Sequence, residues 1–93
     1  GNTELLADSM TVLSMDGAQV LPQKEFMLLY KMVSSPGRIF TRQQIMDDIW
    51  GYDADTDTHT VDVHIARLRE RFKDNTDFQI VTIRGVGYKV VKR

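Results

Sequence analysis

Thr58–Phe72, THTVDVHIARLRERF, is the stretch on which the fold turns. At 100° per residue, Val61, Ile65, Leu68 and Phe72 fall at spacings of four, three and four, so they share one helix face as an apolar stripe. That stripe seeks a core. The opposite side of the wheel holds His59, Val63, Ala66, Arg67 and Glu70, with Thr60, His64 and Arg71 on one flank and Asp62 and Arg69 on the other. A valine pointing away from a core gains nothing from water. In a major groove it packs on a thymine methyl group, beside an Arg67 able to reach guanine or phosphate. An ordinary solvated face with one tolerated valine has the same pattern, because single exposed apolar residues are common. The helix alone leaves both readings open.

Downstream, Phe78 to Ile83 and Tyr88 to Val91 read as two strands around Arg84-Gly85-Val86-Gly87, a basic hairpin with a glycine-rich tip. Upstream, Gly51 to Asp57, GYDADTD, is polar, acidic and too short for another element, which makes it a loop. Before it, Thr41-Arg42-Gln43-Gln44 fits a capping box, with Thr41 as N-cap and Gln44 reaching back, ahead of Ile45, Ile49 and Trp50 in a short helix. In KEFMLLYKMV, Phe26, Leu29, Tyr30 and Val33 recur at helical spacing, from Pro22 in the first turn to a stop at Ser34-Ser35-Pro36-Gly37. This helix reads as mainly core. The N-terminal run LLADSMTVLSMDGAQVL alternates partially and breaks at Asp8-Ser9 and at Asp16-Gly17, a two-residue hairpin signal, so it predicts a small antiparallel sheet. There is no internal repeat or low-complexity segment.

These elements describe an α+β fold of winged helix-turn-helix type: a small N-terminal antiparallel sheet, three helices and a C-terminal β-hairpin wing. In that architecture the third helix, about residues 58–72, enters the major groove. The wing, about residues 80–91, lies on the backbone or in the minor groove.

Composition sets the bounds. Ninety-three residues make one domain with a modest core. Without cysteine there is neither a disulfide framework nor a thiolate metal site, and the fold rests on burial. No apolar run approaches the ~18 residues that span a bilayer, and GNTELLAD lacks the regions of a signal peptide, so the expectation is a soluble, cytoplasmic protein without a membrane partner. The opening Gly1-Asn2 reads as a cut or a cloning remnant, which makes the chain one domain of a longer protein. The net charge of -1 hides an asymmetry: residues 1–58 carry four basic and nine acidic side chains, residues 59–93 eight basic and four acidic. The cations sit where the reader helix and hairpin are.

Other chemistries fail on spacing. Asp53-Ala54-Asp55-Thr56-Asp57 opens like a calcium loop, but Thr58 stands where glycine is needed and His64 where a bidentate glutamate is needed. Gly85-Val86-Gly87 opens like a dinucleotide fingerprint, but Val90 replaces the third glycine and no helix follows. His59 and His64 are five apart rather than four, and no cysteine can join them on zinc. No serine or cysteine nucleophile has a recognisable setting. The expectation is a non-enzyme without cofactor or metal.

The combination LPQKEFMLL, GRIFTRQQIMDDIWG, TVDVHIARLRERF and IVTIRGVGYKV resembles the C-terminal effector domain of the OmpR/PhoB class of bacterial two-component response regulators, from Leu5 to Val91 and in order. The resemblance implies a transcription factor on double-stranded promoter DNA, paired head-to-tail with a second copy on direct repeats. It also implies a phospho-acceptor receiver domain and a sensor kinase in the full-length system. By the same resemblance Val63 and Arg67 contact bases, and Arg42, Trp50, Thr60, His64, Arg69 and Thr82 hold the DNA backbone. Arg84 reaches toward the minor groove, with Gly85 and Gly87 allowing a tight wing tip. Asp53, Asp55 and Asp57 match a loop that touches RNA polymerase in some members. His59 and Ala66 depart from the pattern: many members have arginine at the first position and a basic or polar residue at the second. The alternative is a winged-helix protein-interaction module that binds no DNA, which the acidic first half of the chain favours.

Overall fold

The computed structural model describes residues 3–15, 17–51 and 57–93. The elements are β1 (Glu4–Leu6), β2 (Thr11–Ser14), β3 (Gly17–Val20), α1 (Gln23–Val33), β4 (Phe40–Thr41), α2 (Arg42–Ile49), α3 (His59–Arg71), β5 (Phe78–Ile83) and β6 (Gly87–Lys92). They form two three-stranded antiparallel sheets, ordered β1-β2-β3 and β4-β6-β5, with α1 between the sheets in sequence and α2 and α3 between β4 and β5.

The N-terminal meander forms as its alternation predicts, but its second turn falls one residue earlier than the Asp16-Gly17 signal. Ser14 pairs with Gly17, so Gly17 opens β3, at a φ of +116° that only glycine adopts without strain. Asp16 itself lies outside the described residues.

Helix α1 is mainly core, but on a different set of residues than its spacing predicts. Leu28 and Met32 are fully buried beside Phe26 and Leu29, while Tyr30 is 45% exposed and Val33 only partly covered. The cause is that α1 packs on α3, α2 and β6 at once, so its buried arc is wider than one amphipathic stripe and rotated from it. Its inward face also carries a carboxylate, Glu25.

The capping box of α2 forms as read. Gln44 N–H donates to Thr41 Oγ1 at 3.0 Å, and Thr41 N–H donates to Gln44 Oε1 at 2.9 Å. Helix α3 buries Val61, Ile65 and Leu68 against α1 and α2, and Phe72 ends the helix over Phe78 of β5. Its outer face, His59, Val63, Ala66, Arg67 and Glu70, is exposed throughout.

The wing is three-stranded rather than a bare hairpin. Phe40 and Thr41 pair with Tyr88 and Gly87, a strand too short to show in sequence. Its two wing glycines do different work. Gly85, at φ +74°, makes the left-handed turn of the three-residue tip between Ile83 and Gly87. Gly87 is needed for close approach instead, because a Cβ there would meet the Phe40 carbonyl oxygen at 2.0 Å.

Candidate nucleic-acid interface

Three elements supply this face: the start of α2, the outer side of α3, and the β5–β6 wing. On α3, Val63 is 38% exposed and Arg67 is exposed one turn further on. Arg67 forms no hydrogen bond or ion pair among the described residues, so its guanidinium keeps all of its donors. Arg84, exposed at the wing tip before Gly85, is equally uncommitted among those residues.

Two further arginines of this face, Arg42 and Arg69, are already engaged. Arg42 Nε donates to Asp62 Oδ1 at 2.8 Å, and its guanidinium carbon lies 5.2 Å from the Tyr88 ring centre. Tyr88 also donates its hydroxyl to Asp62 Oδ1, and His59 Nδ1 stands 3.6 Å from Asp62 Oδ2. One carboxylate on the flank of α3 thus gathers groups from α2, α3 and β6. Burial works against the charged form of Asp62, but the hydrogen bonds from Tyr88 and Arg42 outweigh it and hold the carboxyl below its ordinary range. The bond to Asp62 raises Arg42 in turn, and desolvation, with the bond to Asp62, raises Tyr88.

Among the described residues, Arg69 takes neither Asp62 nor any other carboxylate as its partner. Its Nη2 donates to the Ile80 carbonyl at 3.1 Å and to Thr82 Oγ1 at 2.6 Å, with the guanidinium 5.6 Å from the Tyr88 ring centre. The arginine therefore ties α3 to β5. Because Thr82 accepts that bond, its hydroxyl proton is left free to donate outward.

His64 is half-buried, with Nδ1 2.9 Å from the Thr60 carbonyl and its ring edge-on to Trp50 at 4.9 Å. A carbonyl only accepts, so Nδ1 carries a proton, and Nε2 becomes a donor only when the ring is doubly protonated. Trp50 caps the end of α2 and packs partly on the core. Arg71 is exposed but turned to the interior: its Nε donates at 2.9 Å to Oε1 of Glu25, whose side chain is 3% exposed. Asp57, one residue before the N-cap Thr58, accepts from His59 N–H at 2.9 Å in a turn that leads into α3. Asp53 and Asp55 lie outside the described residues.

Sequence reading missed Asp62, Tyr88 and Glu25. Asp62 had a signal, as the one carboxylate on the flank of an arginine-rich helix. Glu25 had none, because its partner is 46 positions away.

Three helices with an exposed, partly apolar third helix beside a basic three-stranded wing define a winged-helix DNA-binding domain. Residues 17–90 match the family described as transcriptional regulatory protein, C terminal. The chain belongs to that family, the effector domains of OmpR/PhoB-type response regulators. The heme response regulator HssR of Staphylococcus aureus is 47% identical over 91 residues, covering 97% of this chain and 41% of its own length. The chain thus spans about two fifths of the curated relatives it matches. Among solved structures, the DNA-binding domain of Bacillus subtilis CssR superposes with a TM-score of 0.86 at 28% identity, over 96% of this chain and 99% of that one. The AdeR DNA-binding domain in complex with an intercistronic region does so at 0.83 and 28%, over 100% and 97%. No helix among the described residues is long and apolar enough to cross a membrane.

Proposed function

We propose that this domain recognises a specific double-stranded DNA sequence by inserting α3 into the major groove and laying the wing on the adjoining backbone and minor groove. The observation that carries the reading is the pairing on one exposed face of a partly apolar surface at Val63 with an uncommitted guanidinium at Arg67. Val63 and Arg67 read base edges, and Arg84 reaches the minor groove. Arg42, Trp50, Thr60, His64, Arg69 and Thr82 fix the register on the phosphates. The complex of AdeR with an intercistronic region supports the assignment by analogy of fold.

In the full-length protein the domain serves a cytoplasmic two-component regulator with a phospho-acceptor receiver domain and a cognate kinase. Two copies sit head-to-tail on direct repeats, and the acidic residues Asp53, Asp55 and Asp57 offer a surface to RNA polymerase. Asp57 also accepts from His59 N–H in the turn that leads into α3, so its substitution would loosen that turn in addition to changing the surface.

Selection of bound duplexes from a random library tests the reading and yields the site. The selected duplex should lose affinity steeply as salt rises, because phosphate contacts release counterions. Failure to enrich any sequence, with no salt-dependent binding to duplex DNA, would favour the protein-interaction alternative.

A further inference from the structure

The DNA-facing side of this domain contains an anion that simple electrostatics would exclude. Asp62 lies on the flank of α3, with its side chain 30% exposed, among groups assigned above to the phosphate backbone. A free carboxylate there would repel the phosphates. It is not free: Arg42 from α2 and the Tyr88 hydroxyl from β6 both converge on Oδ1, and His59 from the first turn of α3 faces Oδ2. Arg69 packs near the same Tyr88 ring and donates to Ile80 and Thr82 of β5. One carboxylate therefore anchors the array that spans all three DNA-facing elements.

We propose that Asp62 is a positioning residue for DNA binding: its carboxylate holds Arg42 and Tyr88 so that α2, α3 and the wing meet the phosphates in one fixed geometry. The inference rests on the DNA-binding reading above. Arg42 spends its Nε on Asp62, which leaves the terminal guanidinium nitrogens to reach a phosphate. Side-chain freedom that an unanchored arginine would lose on binding is already removed in the free protein.

The test separates positioning from both simple charge and simple stability. In the 93-residue chain, on the selected duplex, Asp62→Ala should weaken binding about 10-fold although it removes a negative charge from the DNA side. In an Arg42→Ala background the sign should reverse. There Asp62 still accepts from Tyr88 but has lost the cation that offsets its charge, so repulsion of the phosphates dominates and adding Asp62→Ala should tighten binding about two- to threefold. The isosteric Asp62→Asn, which keeps side-chain volume should the alanine variant not fold, should show the same reversal with smaller amplitude. Urea midpoints measured alongside confirm that each variant is folded at the assay temperature.

Tighter or unchanged binding of the single variants would overturn the proposal. So would equal weakening in both backgrounds, since that is the signature of a purely structural aspartate. If the unaltered chain shows no salt-dependent binding, it is the DNA-binding reading that fails.

Discussion

At the scale of single residues, α3 carries arginines of three kinds, although the sequence presents them alike. Among the described residues Arg67 is uncommitted, Arg69 bonds to the wing, and Arg71 is paired with a buried carboxylate. Arg67→Ala should therefore relax preference at one base step, with a discrimination loss of about 1–3 kcal/mol, and leave folding unchanged. Arg69→Ala should weaken binding to all duplexes about equally, and it should also lower stability by loosening the α3–β5 tie. Competition binding with duplexes altered one base pair at a time distinguishes the two; unchanged specificity in Arg67→Ala would contradict its base-reading role. Asp62 adds a pH signature. Its folded carboxyl sits below the ordinary 3.8, so the unfolded chain binds more protons in acid and stability rises with pH through that range. The contribution is present above about pH 3.8 and is lost as pH falls through the folded value. Urea midpoints between about pH 6 and 3 should fall more steeply in the unaltered chain than in Asp62→Asn.

At the scale of elements, what was legible in sequence was whatever depends on neighbours along the chain. The stripe of α3 and the capping box of α2 are read at spacings of three and four, and both form as read. Thr41→Ala should thus cost about 1 kcal/mol in urea denaturation, the usual loss for a removed cap. It should also weaken DNA binding, because Arg42 follows directly. What was not legible depends on partners distant in sequence. Strand β4 has two residues and exists because β6 approaches it closely over Gly87, a fact that neither segment shows alone. Likewise α1 buries Leu28 and Met32 because three other elements pack on it, which one-stripe reasoning does not foresee. The candidate site divides in the same way. Val63, Arg67 and Arg84 were placed correctly on the surface by wheel and turn, whereas the Asp62–Arg42 pair spans 20 positions and emerges only on folding. Gly87→Ala should be severely destabilising, by about 3 kcal/mol, since its Cβ meets backbone rather than a side chain that can move. A stable variant with β4 still paired would show that the close contact at Gly87 is readily relieved.

At the scale of the molecule, a net charge of -1 coexists with a cationic working face because the charge is divided along the chain, and many of its cations are internally neutralised. Arg42 faces Asp62, Arg71 faces Glu25, Lys31 faces Asp48 and Lys73 faces Glu70. Arg67, Arg69 and Arg84 stand on the proposed interface without a carboxylate partner among the described residues. All three carry a net charge into the phosphate field and so displace counterions, whether they end on a base edge or on the backbone. Arg42 adds little to the count although its terminal nitrogens reach a phosphate, because Asp62 offsets its charge. At roughly 0.9 of log-log slope per phosphate neutralised, one domain on a half-site should show a slope near about -3, a loss of roughly 40-fold in affinity between about 50 and 200 mM salt. Two domains on a direct repeat should about double that slope. Titrations on a single half-site and on the repeat measure both values. A single-domain slope near zero would remove phosphate contact from the account. A slope of about -5 would mean that Arg42 acts as a free charge, contrary to its pairing with Asp62, together with a further cation such as Lys89 of β6.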